Sequence, residues 1–236
     1  MSDERALIDV ENLSKAYGGM PVLRGLNFHV RPGEFVALLG ANGSGKSTLL
    51  RLLSGLSKPT TGAIRVGGWE MPGEAMAVRA QIGLVTHQPL LYQNLTAREN
   101  LDFFGKLYGI GREERDRRIT DLLRKVGLRK RADSLVRTFS RGMKQRLSIA
   151  RASLHQPDVL LLDEPYSGLD QAAIERLDEI LFAGLDAGRT IIMSTHQLER
   201  VPRSAGRALV LSRGRITFDD ATGSRDMSEI YRSASA

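Results

Sequence analysis

The stretch Gly40-Ala41-Asn42-Gly43-Ser44-Gly45-Lys46-Ser47 has the composition of an anion cradle. Glycine tolerates backbone angles closed to other residues, so Gly40, Gly43 and Gly45 let the chain curl until several N–H groups converge on one point. The spacing matches G-x-x-x-x-G-K-[ST] completely. In that pattern the lysine, here Lys46, reaches the β- and γ-phosphates of a nucleotide, and the next hydroxyl, Ser47, is placed for Mg²⁺. Thr48 adds a hydroxyl for the α-phosphate. A helix starting here would turn its positive N-terminal end toward the same phosphates.

A second group lies far along the chain. Val159-Leu160-Leu161-Leu162 is an apolar run that would bury a strand and project Asp163 at its end. A carboxylate there holds Mg²⁺ directly or through water. Glu164 is one residue further and points elsewhere, toward the γ-phosphate side. There a carboxylate can orient and deprotonate an attacking water.

Strands and helices must position these groups. Phe35–Leu39 is a short apolar strand ending at Gly40, and Leu49, Leu52, Leu53 and Leu56 follow at helical spacing. Turn signals at Gly18-Gly19 and Arg31-Pro32-Gly33 make the first 35 or so residues strands joined by turns. Lys58–Gly62 is expected as a loop, with a strand at Ala63–Val66 and another short apolar stretch at Ile82–Thr86. From about Pro89 to Ala150, charged segments with helical spacing (Leu101, Phe104, Tyr108; Ile119, Leu122, Leu123, Val126) predict a helical second lobe. Asp170 is expected to N-cap a helix carrying Ile174, Leu177, Leu181 and Leu185, stopped by Gly188. Thr190–Met193 is a further buried strand, and Ala208–Leu211 with Arg215–Phe218 a hairpin. Alternating strands and helices imply a mainly parallel sheet, with ligands at the carboxyl ends of its strands.

The 236 residues, 42% of them hydrophobic, can bury a sizeable core. No apolar run approaches the roughly 20 residues of a membrane span. Met1–Arg5 is polar, so no secretory signal is expected, and the absence of cysteine excludes a disulfide framework. Net charge is +7, unevenly placed: Gly111–Arg151 holds 14 Lys/Arg and 5 Asp/Glu. Either a solvated helical face or a surface for anionic lipid or an acidic partner accounts for it. Nucleic acid is not expected, because no aromatics interleave with the charges.

These residues together resemble the nucleotide-binding subunit of an ABC (ATP-binding cassette) transporter, from about Leu7 to Phe218. The resemblance implies a P-loop NTPase fold with a mainly parallel sheet core, an antiparallel N-terminal β subdomain and a helical insertion lobe. The single ABC ATPase domain would comprise a core of 1–88 and 151–220, a helical subdomain of 89–150 and a short C-terminal tail of 221–236. ATP and Mg²⁺ are the implied ligands. By the same resemblance Tyr17 stacks on adenine, and Gln88 links Mg²⁺ and the attacking water to the helical lobe. Ser167-Gly168-Leu169-Asp170 communicates across a dimer, and His196 contacts the γ-phosphate. The signature Leu-Ser-Gly-Gly-Gln is irregular here, reading Phe139-Ser140-Arg141-Gly142-Met143. Ser140 and Gly142 are kept and would serve the nucleotide of the opposite subunit. Arg141 either adds charge near the nucleotide or points to solvent.

The implied partners are a second cassette, head to tail, and a separate transmembrane permease. The implied location is the cytoplasmic side of the membrane, peripherally. A narrower resemblance, to the haem-exporter ATPases of cytochrome c maturation, rests on Thr86–Tyr92, Leu95–Leu101 and Tyr166–Asp170. Export of drugs, lipids or polysaccharides is the alternative. A soluble ABC ATPase acting on ribosomes, DNA or iron–sulfur assembly is an alternative of another class. A plain P-loop kinase is disfavoured by Ser140, Gly142, Asp170 and His196.

Overall fold

The computed structural model describes residues 6–201, 204–223 and 226–235. The polar stretch Met1–Arg5 lies outside them. In chain order the elements are β1 (Ile8–Tyr17), β2 (Met20–Val30), β3 (Phe35–Leu39), α1 (Lys46–Leu53), β4 (Thr61–Val66), β5 (Trp69–Met71), α2 (Ala75–Gln81) and β6 (Ile82–Val85). Then follow α3 (Ala97–Leu107), α4 (Arg112–Lys125), α5 (Arg141–Ser153), β7 (Val159–Asp163), α6 (Gln171–Asp186), β8 (Thr190–Thr195), β9 (Arg207–Ser212), β10 (Arg215–Ala221) and α7 (Met227–Ser235).

The strands form two sheets. A six-stranded sheet has the order β10-β9-β3-β8-β7-β6. Its pairings are parallel except at the β9–β10 hairpin. A four-stranded antiparallel sheet has the order β2-β1-β4-β5.

Side chains of a strand alternate between faces, and here both faces of the large sheet are buried. Val36 and Leu38 of β3, with Val159 and Leu161 of β7, pack into the core that holds α1 and the small sheet. Phe35, Ala37 and Leu39, with Leu160 and Leu162, pack on the opposite face with Ile174, Leu177 and Leu181 of α6. Continuous apolar runs are the sequence mark of a parallel sheet covered on both sides. α1 contributes Leu49, Leu50, Leu52 and Leu53, all buried; each adds about 2 kcal/mol by leaving water. The helical spacing of Leu56 is misleading: α1 ends at Leu53, Gly55 turns the chain with φ +69°, and Leu56 is 50% exposed.

β5 and α2 carry no sequence pattern strong enough to predict. Both are short, and Trp69 and Met76 stand exposed.

The segment from α3 to α5 has its own core around Leu101, Ile119, Leu123, Val136, Phe139 and Leu147. α5 runs on to Ser153, past position 150 where the expected lobe ends. The start of α3 is fixed by a capping box: Glu99 N–H donates to Thr96 Oγ1 at 3.1 Å, and Thr96 N–H donates to Glu99 Oε2 at 2.8 Å. Those bonds from Thr96 hold the Glu99 carboxyl below its ordinary range. Buried Asn100 exchanges bonds with the backbone of Tyr92 at 2.8 and 3.0 Å.

Part of the local excess of positive charge works inside the protein. Arg115 donates to Asp102 Oδ1 and to the Ile110 carbonyl, both at 2.6 Å, tying α3 to α4. Arg118 reaches the Leu154 carbonyl at 3.0 Å and Arg146 the Val126 carbonyl at 2.9 Å. Arg151 reaches the Leu84 carbonyl and lies over the Phe104 ring. No helix among the described residues is long and apolar enough to cross a membrane.

Candidate nucleotide site

β3 ends at Gly40, and α1 begins at Lys46; the loop between them is the cradle. Gly45 is the N-cap residue of α1, with φ +112°. A Cβ at Gly40 would strike the Leu211 carbonyl and the Ser44 side chain, and one at Gly45 would strike Leu23. Both positions therefore require glycine for space as well as for backbone angle.

Lys46 is buried, and its Nζ donates to the carbonyls of Gly40 at 2.6 Å and Ala41 at 3.1 Å. The ammonium is thus folded back over its own loop. Burial lowers its pKa, while the carboxylates of Glu164 and Asp163 pull it back up.

β7 lies two strands from β3, with β8 between them. Asp163, at the end of β7, faces the N-terminus of α1. Ser47 Oγ donates to Asp163 Oδ1 at 3.1 Å, and Ser194 Oγ donates to the same oxygen at 2.6 Å. A hydroxyl beside a carboxylate forms a pair of hard oxygen donors. Mg²⁺ prefers one or two such protein oxygens, completed by phosphates and water, so the donor set fits that ion.

Glu164 is a non-glycine residue at φ +51°. Its N–H donates to the Ser194 carbonyl at 3.1 Å and to Ser194 Oγ at 3.2 Å, which pins the turn to β8. A left-handed residue held by its neighbours is a common feature of functional sites. The turn carries the Glu164 carboxylate to His196, whose Nδ1 lies 2.8 Å from Glu164 Oε1. A carboxylate only accepts, so Nδ1 carries the proton and donates.

Around these groups is an open cleft of about 580 Å³ lined by Tyr17, Val22, Asn42, Gly43, Gly45, Lys46, Ser47, Thr48, His87, Asp163, Glu164 and His196. Tyr17 is 46% exposed at the end of β1 and presents a ring to the cleft. A cleft of similar size between α4, α5 and α6 is lined by Arg117, Leu122, Ile180 and Arg189. None of the 40–48 loop residues lines it, nor do Asp163 and Glu164.

The structure thus brings Tyr17, Lys46, Ser47, Thr48, Asp163, Glu164 and His196 to one cleft. Other expected residues stand apart from it. His87 lines the cleft and also an adjoining cavity, which it shares with Gln88, Pro89, Arg141, Lys144 and Gln145; Gln88 lines only that cavity. Neighbours in a turn diverge, and only the turn decides which one faces inward. Asp170 caps α6, its Oδ1 accepting from Ala173 N–H at 2.8 Å. Ser140 caps α5, its Oγ accepting from Met143 N–H at 3.3 Å. Gly142 packs against the Gly168 carbonyl, where a Cβ would come within 3.1 Å. Neither Ser140 nor Gly142 lines the cleft of its own chain. Arg141 stays exposed to solvent, outside the cleft, and its guanidinium donates to Ser167 Oγ at 2.9 Å and lies 3.4 Å from His87 Nε2.

Ser194 and His87 are site residues that sequence reasoning missed. The only sequence signal for Ser194 is its place two residues before His196.

Comparison with known proteins places the chain in a family. The ABC transporter family model matches residues 23–167. The Nod factor export ATP-binding protein I of Paraburkholderia xenovorans is 40% identical over 225 residues, 95% of this chain and 74% of that protein. The linearmycin resistance ATP-binding protein LnrL of Bacillus subtilis is 38% identical over 208 residues, 88% of this chain and 67% of that protein. The Nod factor export ATP-binding protein I of Rhizobium meliloti is 42% identical over 207 residues, and the chain spans 62% of its length, less than two thirds. A solved structure described as the ATP-binding subunit of an ABC transporter superposes with a TM-score of 0.91 at 34% identity, covering 97% of this chain and 99% of that one. The ATP-binding cassette MJ0796, solved as a dimer in a post-hydrolysis state bound to ADP and Pi, gives 0.84 at 29% identity, covering 91% and 98%. The chain belongs to the ABC transporter family. It is an ATP-binding cassette of the P-loop NTPase fold, and an ATPase.

Proposed function

We propose that this cassette hydrolyses ATP at the 40–48 loop to drive export by a separate membrane-spanning permease. The observation that carries the reading is the convergence of Lys46, Ser47, Asp163, Glu164 and His196 on one cleft, with Glu164 and His196 2.8 Å apart. Lys46 would leave its loop carbonyls to bind the β- and γ-phosphates. Glu164 orients and deprotonates the attacking water, and His196 holds that carboxylate and contacts the γ-phosphate. Ser47 and Asp163 would hold Mg²⁺, which supplies charge neutralisation on the phosphates. Tyr17 would stack on the adenine ring.

Ser140 and Gly142 sit at a helix N-terminus, suited to phosphate but outside their own cleft. They would close the nucleotide site of a second copy, head to tail. The permease would meet the exposed Leu56, Leu90 and Tyr108, which border one groove beside β6, at the cytoplasmic face of the membrane.

For the cargo, export of a drug, lipid or polysaccharide is better supported than haem. The relatives named above are described by Nod factor export and linearmycin resistance. The Leu95–Leu101 stretch behind the haem expectation is occupied in capping and anchoring α3.

Glu164→Gln tests the reading. Phosphate release should fall at least about a hundredfold, within the range for loss of a general base. With ATP and Mg²⁺ the variant should elute as a dimer. Unchanged turnover would remove Glu164 from the mechanism.

A further inference from the structure

The cleft between α4, α5 and α6 has a volume of about 480 Å³, within the range of small-molecule sites. Its walls come from two parts of the chain. Leu122 of α4, Ser153 at the end of α5 and Leu154 just after it belong to the helical lobe, and Ile180 belongs to α6, which packs on the large sheet. Leu122 and Ile180 both pack on the core of the helical lobe, so the floor of the cavity is apolar. Most of its charged side chains are already engaged. Arg117 and Arg118 bond to Glu114, Arg118 also reaches the Leu154 carbonyl, and Asp121 accepts from Arg124. Lys125 and Glu179 are exposed at the rim.

Arg189 differs from these. Gly188, at φ +83°, turns the chain off the end of α6, and Arg189 N–H then donates to the Gly184 carbonyl at 3.0 Å. The side chain lies back on the helix: a Cβ at Gly184 would stand 3.5 Å from Arg189 Cδ and 3.8 Å from its Nη1. Burial lowers the pKa of this guanidinium, and the charge of Asp158 opposes the shift. It stays protonated all the same. The negative end of α6 favours a cation here, but the guanidinium donates no hydrogen bond and forms no ion pair among the described residues. On the same cavity, Ser153 is 6% exposed and its Oγ has no hydrogen-bond partner among the described residues. Buried polar groups are nearly always bonded, so two uncommitted donors on one cavity mark a place for an oxygen acceptor.

We propose that this cavity binds a small apolar carboxylate, with its carboxylate on Arg189 and its hydrocarbon body on Leu122, Leu154 and Ile180. The arginine fork matches a carboxylate with two parallel N–H···O bonds, and the apolar floor favours a hydrocarbon body. Inorganic phosphate has the charge without the body. An apolar amine would meet Arg189 and Lys125 with like charge. A ligand seated here touches the helical lobe and α6 together and so bridges them. The site shares no residue with the nucleotide cleft, and the proposal does not depend on how ATP is hydrolysed.

The test is isothermal titration of the full chain with octanoate, and with octanol and octylamine as probes of the same length. Octanoate should bind with Kd below about 1 mM, and the other two at least about tenfold more weakly. This comparison uses the wild-type protein and needs no variant to fold. Arg189→Ala should weaken octanoate at least about tenfold while leaving octanol within about twofold, since only the charged contact is lost. Glu179→Gln, which removes a repelling charge at the exposed rim, should tighten octanoate about twofold. Melting temperatures measured alongside show that each variant folds. Equal affinity for octanoate and octanol would overturn the proposal, as would wild-type octanoate binding in a folded Arg189→Ala variant. Octanoate binding only above about 10 mM, the level of unspecific adsorption, would overturn it as well.

Discussion

Ser194 Oγ donates to Asp163 Oδ1 at 2.6 Å, while the Ser194 carbonyl accepts from Glu164 N–H at 3.1 Å. One fully buried serine on β8 therefore fixes both acidic residues at the end of β7. The pairing exists because the strands lie side by side in parallel, with Asp163 opposite Ser194.

Ser194→Ala should lower kcat about three- to tenfold and raise the Mg²⁺ concentration needed for half-maximal turnover, from loss of one hydrogen bond to a charged group. The backbone bond to Glu164 survives the change, so general-base chemistry persists. Turnover measured across a Mg²⁺ titration checks this; an unaltered Mg²⁺ requirement would separate Ser194 from the metal-binding pair.

Lys46→Ala removes the buried ammonium that bonds the Gly40 and Ala41 carbonyls. ATP affinity should fall at least about tenfold, the equivalent of 1.4 kcal/mol. A fluorescent ATP analogue titrated into the protein reads this directly. Wild-type affinity in the variant would place the phosphates elsewhere.

His155 gives the fold a sensitivity to acid. Its ring stacks on Tyr108 at 3.8 Å between centroids. Burial lowers its pKa from 6.5 to about 4, and the charges of Arg151, Arg189 and Arg118 add to the shift; neither ring nitrogen has a hydrogen-bond partner among the described residues. The neutral ring is thus favoured in the folded state. Above pH 6.5 both folded and unfolded forms are neutral and the group is silent. As pH falls from 6.5 toward 4 the unfolded chain binds the proton first, so stability is lost across that window. Between pH 7 and pH 5 the loss should be about 2 kcal/mol. His155→Phe keeps a ring on Tyr108 and should remove most of that loss. Denaturant unfolding at the two pH values checks it; equal acid sensitivity in both proteins would assign the effect to other groups.

The contiguous half of the site was legible in the sequence. The 40–47 loop announces itself because glycine angles, a strand before it and an amphipathic helix after it are all local properties. Asp163 was legible for a similar reason, since a continuous apolar run must be a buried strand with a polar residue at its end. The two-sided burial of β3 and β7 followed from the same runs. The weak helical spacing at Leu56 and the unpatterned β5 and α2 show where local signals run out.

Contacts between distant segments were decided only by tertiary structure. Ser194 meets Asp163 across 31 residues because β8 lies against β7, and no periodicity encodes that neighbour. The turn after β6 puts His87 at the border of the cleft and an adjoining cavity and Gln88 in that cavity alone, an arrangement that composition leaves open. Arg141 read alone had two destinations, nucleotide or solvent. The fold leaves it exposed to solvent, and adds partners there, because the N-terminus of α5 packs on the 165–168 loop and brings Ser167 and His87 within reach of one guanidinium.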